Sequence, residues 1–271
     1  MKKTLIFLSL LLTSSGVFYS CQDSQNADSV SVSDDVRSQL INLGFDVVNH
    51  VPIKFDNGYL VEGDIYLTPA DMASMKSANR VPVVEQYSTT QLVTGLPRTI
   101  TVYMPTTFSA ANFSAVDEAI RRYNAENLRV VFQRVTTSSA DIVFTRLSKS
   151  QERQGILGSA GFPTSAGNPY GTIKMSGILE STYKLSVNGI ATIMGHEMGH
   201  CIGFRHTDYY NRAISCGGAI SNEGASTVGA NLIPGTPSTA TAAAKSWMLA
   251  CTDGGDRPFN SDDKTALGYL Y

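Results

Sequence analysis

The chain has 271 residues, which is enough for one medium-sized domain with an extension. Its 21 basic and 23 acidic residues give a formal net charge of −2, with no long run of either sign. A nucleic-acid-binding surface needs clustered basic residues, so we expect no nucleic-acid partner.

The first 20 residues have the features of a signal peptide. Two lysines precede an apolar run over residues 5–12, which is too short to span a bilayer. Cys21 directly follows Ser20 and resembles the acylated cysteine of bacterial lipoproteins. We therefore expect an exported protein whose only contact with the membrane is a lipid on Cys21, with residues 21–34 as a flexible tether. Simple secretion is the alternative.

Residues 35–70 are predicted to form a small unit of their own. Apolar spacing indicates a short helix that ends at Gly44, followed by two strands around residues 47–55 and 59–67 with an Asp-Asn-Gly turn between them. Residues 71–98 have little periodicity and contain two prolines, Pro82 and Pro97. This segment is predicted to be a linker that a protease could cut.

The rest of the chain, residues 99–271, is predicted to be an α+β domain. Strands alternate with helices in its first part, and residues 215–246 form a long unpatterned loop. The predicted elements are strands over 99–104, 129–135, 141–147 and 172–179, a helix beginning near Ser114, a buried helix over 187–202 and a last helix after Ser261.

Three of the four histidines fall within the pattern HExxHxxGxxH, which has a chance frequency of roughly two in a million in a shuffled chain of this composition. His196 and His200 are four residues apart and project from one face of a helix. A turn at Gly203 lets His206 approach from below. Three imidazoles bind one zinc ion and leave its fourth position for water, and Glu197 is placed to accept that water's proton.

Apart from Cys21, three cysteines remain, which is an odd number for an oxidising compartment. Cys201 lies inside the predicted zinc helix and is expected to be a buried thiol. We predict a disulfide between Cys216 and Cys251, which flank the long loop, although spacing alone does not determine connectivity.

The three-histidine motif resembles that of the metzincins, which combine a twisted sheet and an active-site helix with an irregular lower subdomain, a Met-turn and a C-terminal helix. Met248 is the only methionine after His206 and matches the Met-turn. The chain more closely resembles the dual-action HEIGH metallopeptidases, the bacterial group named after myxobacterial protease B. The segments that carry this resemblance are residues 61–65, 100–103, 119–124, 140–143, 196–208 and 233–237.

Three positions depart from the related patterns. Met198 stands where the family name expects Ile, and Thr207 is neither the Glu of astacins nor the Pro of matrixins. Ala250 occupies the position of the astacin Tyr that stabilises the oxyanion. Either the zinc carries more of that charge alone, or another residue such as Tyr209 or Tyr210 contributes.

The segment around Asp64 resembles the FxGD motif of astacin prosegments, with Val61 in place of the Phe. In that motif the aspartate occupies the open position of the zinc. The resemblance therefore implies that the N-terminal unit is an inhibitory prosegment and that the protein is made as a latent precursor. The alternative is that Gly63 and Asp64 form an ordinary turn between strands.

These features together predict a monomeric zinc endopeptidase with protein or peptide substrates. An extended substrate would pair with an edge strand of the sheet, for which we expect residues 172–179. Two alternatives remain at this stage: a surface binding protein that keeps the zinc fold without catalysis, and a zinc hydrolase of a non-peptide envelope amide. A silent protein could lose Glu197 freely, but this residue is present with all three histidines.

Overall fold

The computed structural model describes residues 32–75, 86–223, 229–237 and 240–271. The predicted signal peptide, Cys21 and nearly all of the predicted tether lie outside these ranges. Within the described ranges, no helix is both long enough and apolar enough to cross a bilayer.

The N-terminal unit consists of a helix, a three-stranded antiparallel sheet and a second short helix. Ser33 caps the first helix. The core of the unit includes Leu40, Phe45 and a residue from much later in the chain, Phe162. The elements are α1 (Asp34–Asn42), β1 (Ile53–Phe55), β2 (Gly58–Val61), β3 (Ile65–Leu67) and α2 (Pro69–Ser74).

The single strand predicted over residues 59–67 is wrong, because this segment folds back as a hairpin. Val61 pairs with Ile65, so residues 62–64 form the turn between β2 and β3. Glu62 and Gly63 have φ values of +52° and +93°, in the left-handed region where a strand cannot continue. As a result, Asp64 lies at the tip of a hairpin.

The segment predicted as a linker, residues 71–98, contains ordered structure at both ends. The helix α2 ends at Ser74, and β4 (Tyr87–Ser88) pairs with β10 (Asn231–Leu232). Tyr87 is fully buried against Tyr209 and Ala230, so it belongs to the second part of the chain. Residues 76–85 are outside the described ranges, and the position of the domain boundary stays a prediction.

The main sheet has five strands in the order β6-β5-β7-β9-β8. Four strands are parallel, and β8 runs antiparallel beside β9. The expected edge strand over residues 172–179 is therefore wrong, because the short β8 from the Gly-rich segment before it pairs outside β9. The strands are β5 (Arg98–Tyr103), β6 (Val130–Val135), β7 (Ile142–Arg146), β8 (Gly158–Ser159) and β9 (Thr172–Met175).

Two long helices, α3 (Ala110–Asn124) and α5 (Val187–Ile202), pack against each other beside this sheet. The predicted start of α3 near Ser114 is one turn late, because the Ser109 hydroxyl accepts the hydrogen bond that caps it. The bounds of α5 are those predicted from sequence. Every residue of α5 from its third onward is buried, as expected for a central helix.

The lower part of the catalytic region is irregular apart from short helices and the last helix. A disulfide joins Cys216 to Cys251 as predicted, and Cys201 is a buried free thiol. The fold is α+β, as predicted. The remaining helices are α4 (Lys149–Arg153), α6 (Ala213–Cys216), a 3-10 turn over Ala242–Ala244 and α7 (Ser261–Leu270).

Candidate metal centre

The three histidines of the sequence motif converge on one buried point. The helix α5 presents His196 and His200 with their Nε2 atoms 3.0 Å apart. The helix then ends at Gly203, whose φ of +108° turns the chain so that His206 meets them. A side chain at Gly203 would approach the backbone oxygen of Gln91 to 2.9 Å, so glycine is required there for space as well as conformation.

Each histidine is oriented through its other ring nitrogen. His196 Nδ1 lies 2.9 Å from the Trp247 carbonyl oxygen, and His200 Nδ1 lies 2.8 Å from the Phe204 carbonyl oxygen. Donation from Nδ1 to these acceptors leaves the Nε2 lone pairs directed at the common point.

Glu223 orients the third histidine and was not predicted from the sequence. Its carboxylate oxygens lie 2.8 and 3.1 Å from His206 Nδ1, and Arg212 pairs with the same carboxylate. Burial alone would raise the pKa of Glu223, but His206 and Arg212 hold it at about 2. The residue lies in an unpatterned loop, where no spacing rule could have identified it.

The aspartate of the N-terminal hairpin lies among the histidines. Asp64 Oδ2 is 3.0 Å from His206 Nε2 and 3.5 Å from His196 Nε2. One possible ligand atom from each histidine and from Asp64 lies within 4.8 Å of the others. Burial would raise the pKa of Asp64, but the histidines, His206 foremost, hold it well below its usual range.

This donor set fits one zinc ion. Three imidazole nitrogens and one carboxylate oxygen are ligands that zinc takes in tetrahedral sites. In addition, Asp64 Oδ1 is buried and has no hydrogen-bond partner within the described part of the chain. A buried carboxylate oxygen without a partner is costly unless a cation compensates it, which a metal at this point would do.

The hairpin that carries Asp64 also pairs with the edge of the main sheet. The backbone N–H of Ala160, just after β8, donates to the Asp64 carbonyl at 3.1 Å. The Tyr66 N–H donates to the Ala160 carbonyl at 2.8 Å, and this contact is a parallel bridge. The edge of the sheet is thus covered beside the metal centre.

Glu62, at the other end of the turn, is held by two arginines. Arg205 donates to its carboxylate at 2.9 Å, and Arg212 donates to its backbone carbonyl at 2.8 Å. Burial raises the pKa of Glu62, and the charges of Arg205 and Arg212 oppose that shift. The carboxyl group accepts from Arg205 in either protonation state.

Glu197 lies on α5 directly after the first ligand, and only 2% of its surface is exposed. Burial and the Asp64 carboxylate raise its pKa well above the usual range. The strand β8 passes very close to it, because a Cβ added to Gly158 would lie 2.5 Å from Glu197 Oε1. The glycine at this position was not predicted, and it gives the Glu197 carboxylate its space.

Met248 lies beneath the two ligands of α5, where the resemblance predicts the Met-turn. It is fully buried, and a Cβ added to Gly199 would approach its sulfur to 2.6 Å. Its carbonyl accepts from the Thr207 N–H at 2.8 Å, which ties it to the segment after His206. Met248 thus forms part of the floor of the site.

The two tyrosines considered for oxyanion stabilisation pack in a separate apolar cluster. The Tyr209 ring lies 4.2 Å from that of Tyr87, and the Tyr210 hydroxyl accepts from the Ala240 N–H at 2.7 Å. The Ala250 N–H donates to Asp208. A small cavity lies beside Glu197, and Arg257 is among its lining residues.

Comparison with known proteins identifies the chemistry of this site. Residues 59–271 match the family model described as dual-action HEIGH metallopeptidase. The comparison with curated proteins found no match.

Among solved structures, the chain is similar to two of myroilysin, at 13% and 16% identity and a TM-score of 0.42 for each. These cover 68% and 77% of this chain and 98% of each myroilysin chain. It is also similar to high choriolytic enzyme 1, a hatching enzyme zinc-protease from Oryzias latipes, at 16% identity and a TM-score of 0.35. That match covers 64% of this chain and 88% of the other.

Proposed function

This chain belongs to the family of dual-action HEIGH metallopeptidases, and on that premise we propose that it is made as a latent endopeptidase precursor. It is a zinc metallopeptidase, and its substrates are proteins or peptides. In the proposed latent form, the N-terminal unit blocks the metal centre of its own chain. The observation that carries the proposal is the Asp64 carboxylate, which lies in one group with the three histidines.

A catalytic zinc needs one position free of protein ligands, and a bound Asp64 carboxylate would occupy that position. We assign His196, His200 and His206 as the ligands of the working enzyme. A carboxylate is also a competent zinc ligand, so Asp64 would be the fourth donor in the precursor. Its buried, unpartnered Oδ1 and its 3.0 Å approach to His206 support this role.

The covered sheet edge is a second support for latency. A peptide that binds as an extended strand needs free backbone groups on such an edge. Here the N–H and the carbonyl of Ala160 are both bonded to the hairpin. A substrate and the hairpin would therefore compete for the same edge, and a cut in the segment before β4 would let the unit leave.

We assign Glu197 as the general base. Its carboxylate can accept a proton from a water molecule that attacks the scissile carbonyl, and the resulting carboxylic acid can protonate the leaving amine. Zinc, when bound, supplies a Lewis acid that polarises the carbonyl and lowers the pKa of the water. The close backbone of Gly158 restricts the positions that the Glu197 carboxylate can adopt.

The test compares uncut wild type with uncut Asp64→Ala, each loaded with zinc. We expect Asp64→Ala to hydrolyse a denatured protein substrate faster by orders of magnitude, since the blocking carboxylate is gone. After proteolytic processing, the two proteins should have equal activity. Asp35→Ala is the control, because Asp35 is an exposed aspartate of the same unit, in the first turn of α1. Equal rates for the uncut wild type and uncut Asp64→Ala would show that the unit has another task.

We also propose that the protein is exported as a monomer and held at the cell envelope by a lipid on Cys21. The leader sequence supports export, and the disulfide fits an oxidising compartment. Metabolic labelling with a radioactive fatty acid tests the anchor: the wild type should be labelled and Cys21→Ala should not. An unlabelled wild type found in the medium would favour simple secretion.

A further inference from the structure

The hairpin carries a second buried carboxylate, Glu62, which the latency proposal does not use. Only 1% of Glu62 is exposed, and its Oε2 accepts from Arg205 Nη2 at 2.9 Å. Its Oε1 has no hydrogen-bond partner within the described ranges, and its carbonyl accepts from Arg212 Nη1. An acidic side chain from the N-terminal unit is thus inserted beside the metal centre.

The surface that receives Glu62 belongs to the catalytic region. Arg205 directly precedes the ligand His206, and Arg212 follows six residues later; both are almost fully buried. Arg205 Nη2 is 3.8 Å from Glu223, and Arg212 pairs with the same carboxylate. When the unit leaves, Arg205 loses the Glu62 carboxylate, and the two guanidinium groups share Glu223.

We propose that the position vacated by Glu62 is a substrate subsite for an acidic side chain, with Arg205 as the residue that binds its carboxylate. The inference rests on the latency proposed above, because the subsite opens only if the unit departs. Glu62 already demonstrates that a carboxylate can lie at hydrogen-bond distance from Arg205. The substrate class is therefore a protein or peptide with Glu or Asp at one fixed position near the scissile bond.

Charge and desolvation favour an acid over other side chains at this point. A carboxylate accepts charge-assisted hydrogen bonds from a guanidinium group, which are about twice as strong as neutral ones. A neutral side chain would leave Arg205 with only a share of the Glu223 carboxylate, which lies 3.8 Å away and also pairs with Arg212, and a lysine would place like charges together. The glutamine analogue of a preferred substrate should therefore be cleaved about ten-fold more slowly or worse.

The experiment profiles cleavage sites with the zinc-loaded full chain, activated by limited proteolysis, on a library of peptides from a digested proteome. Three proteins are compared: wild type, Arg205→Gln and Arg257→Gln. Arg257 is the matched control, because it is a buried arginine in the cavity beside Glu197. We expect wild type and Arg257→Gln to enrich Glu or Asp at one position by about ten-fold or more, and Arg205→Gln to lose that enrichment.

Two results would overturn the inference: wild type without acidic enrichment, or enrichment that survives Arg205→Gln, whatever the result for Arg257→Gln. If Arg205→Gln does not fold, the wild-type kcat/KM values for matched peptides with Glu or Gln at the preferred position are compared instead. Equal values would contradict the proposal. The ratio of activity after and before proteolysis is recorded separately. A ratio near one refutes latency, whereas a large ratio without acidic preference refutes only the subsite.

Discussion

The N-terminal unit and the catalytic region are held in different ways. The catalytic region buries a large apolar core around α5, in which Tyr123 donates to the Gly195 carbonyl and Trp247 packs against Phe204. Within the described ranges, nine buried side chains form one core of the N-terminal unit, and one of these, Phe162, comes from the catalytic region. A second, smaller buried cluster packs Phe55 and Tyr66 of the unit against Leu147 of the catalytic region. The unit therefore shares its apolar contacts with the catalytic region, whereas most of the large core lies within the catalytic region itself.

The contact of the unit with the metal centre is polar rather than apolar. Asp64 meets the histidines, and Glu62 meets Arg205. Apolar burial stabilises a fold whichever apolar group is in contact, because the effect is not directional. A buried carboxylate is stable only when it faces the correct cations. The large core thus maintains the site, whereas the buried ion pairs and the backbone hydrogen bonds at Ala160 hold the hairpin in place.

The largest effect is expected from His200→Ala, which alters the catalytic region alone. One of three imidazoles is lost, so the protein should lose zinc in both the uncut and the processed form, and the processed form should lose all peptidase activity. Its melting temperature should also fall, because bound zinc contributes folding free energy. Elemental analysis and thermal denaturation measure these changes. His50→Ala is the control, since His50 lies in the N-terminal unit and contacts Asp46 and Ser221; zinc loss in both variants would contradict the prediction.

Glu197→Gln should abolish most activity without loss of metal. Glutamine keeps the shape but cannot accept a proton, so we expect kcat to fall by about 10²–10⁴-fold in the processed enzyme. Steady-state kinetics and zinc content are the measurements. Glu152→Gln is matched in burial but bonds to Arg146 and Gly177. It should leave kcat near wild type, and a Glu197→Gln enzyme with near-normal kcat would remove the general-base assignment.

Phe162→Ala should destabilise the N-terminal unit more than the catalytic region. Removing this ring from the small core should lower the free energy of unfolding by about 3–5 kcal/mol. This loss should mainly weaken the docking of the N-terminal unit. The uncut protein should then be cut faster within residues 32–75 by a nonspecific protease. Phe144→Ala removes a fully buried ring from the main sheet instead and should destabilise the catalytic region. Identical protection of the unit in the two variants would mean that Phe162 does not anchor it.

Gly158→Ala should have the smallest effect of the four. The added methyl group would meet Glu197 Oε1 at 2.5 Å, so the carboxylate must shift by a fraction of an ångström or more. A misplacement of this size should lower kcat by about 10²-fold while the fold is retained. At Gly171 the nearest atom to an added Cβ is 3.6 Å away, which is ordinary contact. Gly171→Ala should therefore be neutral, and equal kcat values for both variants would refute the steric argument.

Much of the metal centre could be predicted from the sequence because its residues are local. The spacing of His196 and His200 follows from the helical repeat, and Gly203 marks the turn that brings in His206. The bounds of α5 were predicted in the same way, whereas the pairing of Cys216 with Cys251 was predicted because Cys201 lies inside the zinc helix. The edge strand of the sheet was not predicted correctly, because a two-residue strand such as β8 has no periodicity to detect.

The zinc motif, the α+β class and the order of the principal elements could be predicted from the sequence alone, because each depends on residues that are near neighbours along the chain. The resemblance of the segment around Asp64 to a prosegment motif had already implied that Asp64 lies at the metal. In contrast, the contact of Glu223 with His206 and that of Glu62 with Arg205 depend on tertiary packing alone. The residues of these two pairs are separated by 17 and 143 positions. Contacts at such separations are set by how the helices, the sheet and the hairpin pack, which no local pattern encodes.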